Sequence, residues 1–212
     1  MRITREQVTE AALALLDEVG LEGLTMRRLA QALNIQAPSL YWHFKNKEAL
    51  IDHLADRLLD RVCIDIDPAA PWRVQVEQIA RQLRQGLLSR RDGGRLYAGT
   101  YIVTPNILRV NDGVMGALVS AGFSAEVAAW ANGSLFFYVI GFTIEEQGLV
   151  DATGALVVDL AALKSRFAEA AGASHPRLLG MMEALFDTDL EARFQFGLDM
   201  LLDGLARQMA RE

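Results

Sequence analysis

Apolar residues recur at spacings of three and four through nearly the whole chain, and no segment sustains a period-two alternation of Val, Ile and aromatics. A 3.6-residue period puts such residues on one face of a helix, whereas a half-buried strand needs alternation, so the pattern predicts an all-α fold. The first helix is expected from Thr4 to Val19, with Thr4 as N-cap, Gly20 as its stop and Val8, Ala11, Ala12, Leu15, Leu16 and Val19 as its buried stripe. Thr25 should cap a second helix, Met26 to Leu33, which Asn34 can end by adopting a left-handed conformation. A third, short and aromatic, runs over Gln36 to Phe44 with Pro38 near its start, where a missing N–H costs nothing.

A fourth helix is expected over Lys47 to Ile64, ended by the acidic, proline-containing stretch Asp65 to Pro71. Further helices are predicted at Trp72 to Ser89, Gly93 to Tyr101, Pro105 to Ala121, Ala125 to Gly148, Val157 to Ala170, His175 to Phe186 and Asp187 to Ala210. The organisation that follows is an N-terminal unit over residues 1–47, a connecting helix over 48–64 and a larger helical domain over 65–212. Trp130 to Phe142 is apolar on nearly all faces, so its helix should be surrounded by other helices or by a second subunit.

The 212 residues, 51% hydrophobic, can bury a core without staples, and the single cysteine, Cys63, excludes an internal disulfide framework or a multi-cysteine metal site. Leu135 to Ile144 is too short to span a bilayer and runs into Glu145 and Glu146, and the N-terminus lacks a signal-peptide core. No membrane span and a cytoplasmic location are therefore expected. The formal charge of -6 argues at first against a nucleic-acid partner, but its distribution reverses that impression. Between Thr25 and Lys47 stand Arg27, Arg28, Lys45 and Lys47 with no Asp or Glu. A phosphate backbone responds to charge within a Debye length of about 8 Å, so this local excess is what counts.

Two short helices joined by a tight turn, the second bearing Ser, Tyr, Trp and His between lysines, have the composition of a helix-turn-helix. A helix entering a major groove about 12 Å wide needs small, polar or aromatic side chains and no carboxylate on its outer face. Pro38 and Ser39 lie at its N-terminal end, Tyr41, Trp42 and His43 can reach bases or phosphate oxygens, and Arg27, Arg28, Lys45 and Lys47 suit backbone clamps. Leu40 and Phe44, four apart, would anchor the helix inward. The rival reading is a helical adaptor that binds only protein. An enzyme finds little support: His43, His53 and His175 are scattered, and there is no Gly-rich phosphate loop and no G-x-S-x-G elbow. No cofactor or metal site is expected.

The run Leu24-Thr-Met-Arg-Arg-Leu-Ala-Gln-Ala-Leu-Asn34, followed by Pro38-Ser-Leu-Tyr-Trp-His-Phe-Lys-Asn-Lys47, resembles the helix-turn-helix of the TetR family almost position by position. Leu87 to Gly93, Gly99-Thr100, Ala121 to Ser124, Glu145 to Gln147 and Phe194 to Leu198 resemble the effector domain of its tetracycline-repressor branch. The resemblance implies a three-helix DNA-binding domain joined to a helical ligand-binding and dimerisation domain, a homodimer on a palindromic double-stranded operator, and release by a small-molecule effector. It places Arg27, Pro38, Ser39, Tyr41, Trp42, His43 and Lys47 on DNA-contacting positions, with Ala37 where the tetracycline-repressor branch has a base-reading glutamine. The implied pocket comprises Cys63, Leu83, Tyr97, Thr100, Tyr101, Val114, Met115, Phe137 and Glu145. Its chemistry has changed, because the branch's metal-binding histidine falls at Tyr97, a second pocket histidine at Cys63, an asparagine near Ile79 and an arginine at Tyr101. With only Thr100 and Glu145 kept, a magnesium chelate would have too few ligands, which points to a lipophilic, aromatic effector.

Overall fold

The computed structural model describes residues 3–100, 103–151 and 153–209. Helix α1 (Arg5–Gly23) starts at a reciprocal capping box, in which the Thr4 hydroxyl accepts the Gln7 N–H and the Gln7 side chain accepts the Thr4 N–H. Gly20, at φ +72, interrupts α1 without ending it, and one further turn closes when the Leu24 N–H reaches the Gly20 carbonyl. Thr25 caps α2 (Met26–Ala32), and Asn34 takes the expected left-handed conformation at φ +52. Next comes α3 (Ala37–Leu40), with Pro38 in its first turn. It is shorter than expected, and residues 41–43 continue as turns. Asn46, whose side chain accepts the Ala49 N–H, caps α4 (Lys47–Arg57).

The expectation of a helix to Ile64 fails for a tertiary reason. The Arg109 guanidinium donates to the carbonyls of Leu59, Asp60 and Val62, and the Cys63 N–H is taken by the Gln82 side chain. Those groups therefore do not need a continued helical ladder, and Cys63 sits at φ +59. The larger part comprises α5 (Trp72–Leu88), α6 (Gly93–Ala98), α7 (Pro105–Ser120), α8 (Ala125–Leu149), α9 (Leu160–Ala171), α10 (Pro176–Gly180), α11 (Met182–Leu185) and α12 (Leu190–Met209). A single helix over His175 to Phe186 is thus replaced by two short ones that break at Met181.

One apolar core runs from Val8 in α1 to Leu202 in α12, with Leu54, Ile79, Leu83, Leu96, Val110, Leu118, Val139 and Phe194 buried at the helix crossings. Helix α5 lies centrally against α6, α7 and α8, while α12 packs on α8. Contrary to the reading from Leu135 to Ile144, α8 as a whole is long and apolar enough to cross a membrane by length and composition. Its apolar circumference has another use here: α5, α6, α7 and α12 all pack against it, and it carries Asn132, Thr143, Glu145 and Glu146.

Candidate DNA-binding face and effector cavity

The α2–α3 unit is held from within. Leu29, Leu40 and Phe44 are buried, so the pair four apart does anchor the second helix, while Tyr41 and Trp42 point outward at 52% and 89% exposure. Arg27, Arg28 and Pro38 are exposed, and Ser39, His43 and Lys47 are half-buried on the same segment. Trp42 and its neighbour Tyr41 form an exposed aromatic pair on the same segment as these cations. Arg57, Arg73, Arg81, Arg84, Arg90, Arg95 and Lys164 are each paired with a carboxylate. Among the described residues Arg27, Arg28, Lys45 and Lys47 have none within 4.0 Å, and Arg28 reaches only the Gly23 carbonyl, at 3.3 Å. With no Asp or Glu between Thr25 and Lys47 to neutralise them, these four cations leave this face positive.

Two sets of polar contacts tie this face to the larger part. At the end of α1, Asp17 accepts from the Arg90 guanidinium at 2.8 Å and the Arg91 N–H at 3.0 Å, and Glu22 pairs with Arg95 at 2.8 Å. Asp92, which precedes α6, accepts the Leu21 N–H at 2.8 Å. Gly20 is required twice over, by its positive φ and because a Cβ there would lie 2.9 Å from the Asp92 carboxylate. On the other side, Asp56 of α4 accepts from the Thr104 hydroxyl and from Asn106 at the start of α7. Helices α1 and α4, which flank the α2–α3 unit, are therefore bonded to the starts of α6 and α7.

A cavity of about 480 Å³ opens beside that segment, between the C-terminal end of α6, α7 and α8. Tyr97, Thr100 and Phe137, three of the residues expected from the sequence, line it together with Ile107, Asn111, Asn132, Phe136 and Ile140. The other expected residues are not gathered there. Val114 lines a second, smaller cavity of about 330 Å³ between α5, α7, α8 and α12. Leu83 is core, Met115 is half-buried away from both cavities, and Cys63 lies half-buried against Gly113. Tyr101 falls outside the described residues.

Glu145 is exposed; its neighbour Glu146 is the buried carboxylate, bound at both oxygens by Arg84. About 100° separates adjacent residues around a helix, so only one of the two can face α5. Burial pushes the Tyr97 hydroxyl above its ordinary value, which keeps it a neutral donor. Among the described residues the lining offers a phenol, a hydroxyl and two amides but no carboxylate or imidazole, a donor set that does not fit a magnesium chelate. Asn111 and Asn132 escaped the sequence reading, although an amide inside the apolar stretch Trp130 to Phe142 was a visible exception.

Two family models cover the chain: bacterial regulatory proteins of the tetR family match residues 8–54, and the tetracyclin repressor-like C-terminal domain matches residues 67–209. The chain is 38% identical over 203 residues to the class A tetracycline repressor protein from transposon 1721 of Escherichia coli, covering 95% of this chain and 89% of that protein. For the class C protein of Escherichia coli the identity is 35% over 211 residues, covering 97% and 92%. Among solved structures, a possible TetR family transcriptional regulator from Streptomyces coelicolor A3(2) superposes with a TM-score of 0.86 at 41% identity, covering 96% of this chain and 99% of that one. The Streptomyces coelicolor TetR family protein ActR in complex with actinorhodin gives 0.85 at 29% identity, covering 98% and 99%. BioQ with its natural double-stranded DNA operator gives 0.70 at 30% identity, covering 97% and 99%. With both halves matched in order, and with a helix-turn-helix ahead of a cavity-bearing helical domain, this chain belongs to the TetR family as a ligand-responsive transcriptional repressor and not an enzyme.

Proposed function

We propose that the protein acts as a homodimer on a palindromic operator and leaves it when a lipophilic, aromatic small molecule enters the cavity beside α6. The observation that carries the DNA half is the exposed segment with Trp42, Tyr41 and four cations that no carboxylate of the described residues neutralises. In this reading residues 1–47 form the DNA-binding domain, 48–64 connect, and 65–212 bind effector and partner. Arg27, Arg28 and Lys47 position the phosphate backbone, while Pro38, Ser39, Tyr41, Trp42 and His43 face the groove. The dimer is supported by Trp130, Phe196 and Met200, which stand 67%, 70% and 63% exposed on α8 and α12, large apolar side chains that a second subunit would cover. Two recognition helices set about 34 Å apart by such a dimer read a twofold-symmetric site.

Release follows as a population shift. An effector wedged against Tyr97 and Thr100 acts on α6, and α6 and the start of α7 are bonded to α1 through Asp92 and to α4 through Asp56. A ligand that favours one position of α6 thereby favours one spacing of the two DNA-binding units. The uncharged lining among the described residues suits a lipophilic ligand. The test is a mobility-shift titration with the DNA upstream of the protein's own gene, alongside light scattering of the protein alone. Retarded DNA, a dimeric mass and loss of the shift on adding an aromatic effector are expected. No shift on that DNA or on heparin, or a shift that a saturating ligand leaves unchanged, would overturn the corresponding half.

A further inference from the structure

The effector cavity contains one polar device whose direction is set by the backbone. The Asn111 Nδ2 donates to the Ile107 carbonyl at 2.9 Å, and a carbonyl can only accept, so the Asn111 Oδ1 must face the other way. There it accepts the Asn132 Nδ2 at 2.6 Å, which leaves the Asn132 Oδ1 as the end of the chain. That oxygen is buried and has no hydrogen-bond partner among the described residues. A buried acceptor without a partner is a standing cost to the ligand-free protein, and both amides belong to the cavity lining.

Phe137 adjoins this wall. Its ring comes to 4.0 Å from where a Cβ would stand at Gly133, and it is 78% exposed, so little within this chain fixes its position. Among the described residues no charged side chain lines the cavity, so an ionised ligand would lose its hydration without gaining a counter-charge. An acceptor-only group, such as an ether or ketone, would meet the Asn132 oxygen lone pair to lone pair.

Resting on the reading of this cavity as the effector site, we propose that it selects a neutral ligand whose apolar ring system carries a hydrogen-bond donor, a hydroxyl or N–H, for the Asn132 Oδ1. The discrimination comes from Asn111, which locks the Asn132 amide in one orientation. Sites that hydrogen-bond a hydroxyl reject the analogue lacking it far more strongly than apolar contacts alone can.

Calorimetric titration of the full chain with 2-hydroxyfluorene, its methyl ether and fluorene-2-carboxylate tests this. The phenol should bind at least about ten-fold tighter than the ether, with the carboxylate weakest. Asn132→Leu should abolish the preference, and so should Asn111→Leu, because a freed amide can offer either end; circular dichroism checks that each variant folds. Gly141→Phe sets a large ring on a residue that lines the cavity and where a Cβ meets nothing within 4 Å, and should remove binding of all three. Equal binding of phenol and ether that Gly141→Phe abolishes would overturn the donor inference and leave the cavity standing. So would a preference that survives Asn132→Leu but is lost with Gly141→Phe. Binding unaffected by Gly141→Phe, or no binding of any probe, would overturn both.

Discussion

Replacing Glu146 with alanine strands a buried cation. Arg84 is 7% exposed, and its guanidinium donates to both Glu146 oxygens at 2.8 Å and to Glu191 at 2.6 Å and lies 4.5 Å over the Phe194 ring. Burial works against its charge, but the bonds to Glu146 and Glu191 outweigh that and hold Arg84 above its ordinary value. Breaking a buried pair from one side costs about 3–5 kcal/mol, because the remaining charge keeps its desolvation penalty and loses its return. Glu191 stays, but its side chain is 60% exposed and screened, so we expect Glu146→Ala to cost about 3 kcal/mol, the lower end of that range. The double variant Arg84→Met with Glu146→Leu removes both charges and keeps the volume, and should fall within about 1 kcal/mol of wild type. Urea unfolding of wild type, Arg84→Met, Glu146→Leu and the double variant at one fixed concentration, followed by circular dichroism, completes the double-mutant cycle, with Glu146→Ala measured alongside. A cost below about 1 kcal/mol for Glu146→Ala, or a double variant as unstable as the two singles summed, would refute the reasoning.

Lys47→Ala should weaken binding to every DNA sequence alike and reduce the slope of log affinity against log salt by about 1, whereas Ser39→Ala and Tyr41→Phe should reorder preference among operator variants. Equal loss on every sequence for all three would contradict the assignment. Burial, with Arg5 and Arg57 nearby, holds the His53 imidazole below 6.5, so the unfolded chain takes up the proton first as pH falls. The site costs nothing above 6.5 and destabilises increasingly below it, so Tm should drop further between about pH 7.5 and about pH 5.5 in wild type than in His53→Gln. Parallel Tm curves would show that the ring titrates as in the unfolded chain. Burial also pushes the Cys63 thiol up, so a disulfide reagent at about pH 7.5 should react at least about ten-fold more slowly than with free cysteine, and equally fast in denaturant. A fast native reaction would instead mark a sensing thiolate.

Local chemistry was readable from residue order wherever the deciding contacts lie within a few positions. Thr4 and Thr25 cap their helices, Asn34 turns left-handed, Pro38 opens the third helix, and Leu40 with Phe44 faces inward. Cap bonds span three residues and a helical face repeats every three or four, so no tertiary partner is needed to specify them. The all-α class and the carboxylate-free basic segment came from the same local information.

Packing decided the rest. The period that begins at Lys47 continues past Arg57, yet the helix stops there, and Arg109, about fifty positions away, claims the Leu59, Asp60 and Val62 carbonyls that would have continued it. Helix α8 is apolar all round, so periodicity could not say which of Glu145 and Glu146 faces Arg84. Asn111 and Asn132, 21 residues apart on two helices, form their directed amide chain only where α7 crosses α8. A side chain's residue type is written in the sequence, but what it meets is set by how helices cross, which no local pattern encodes.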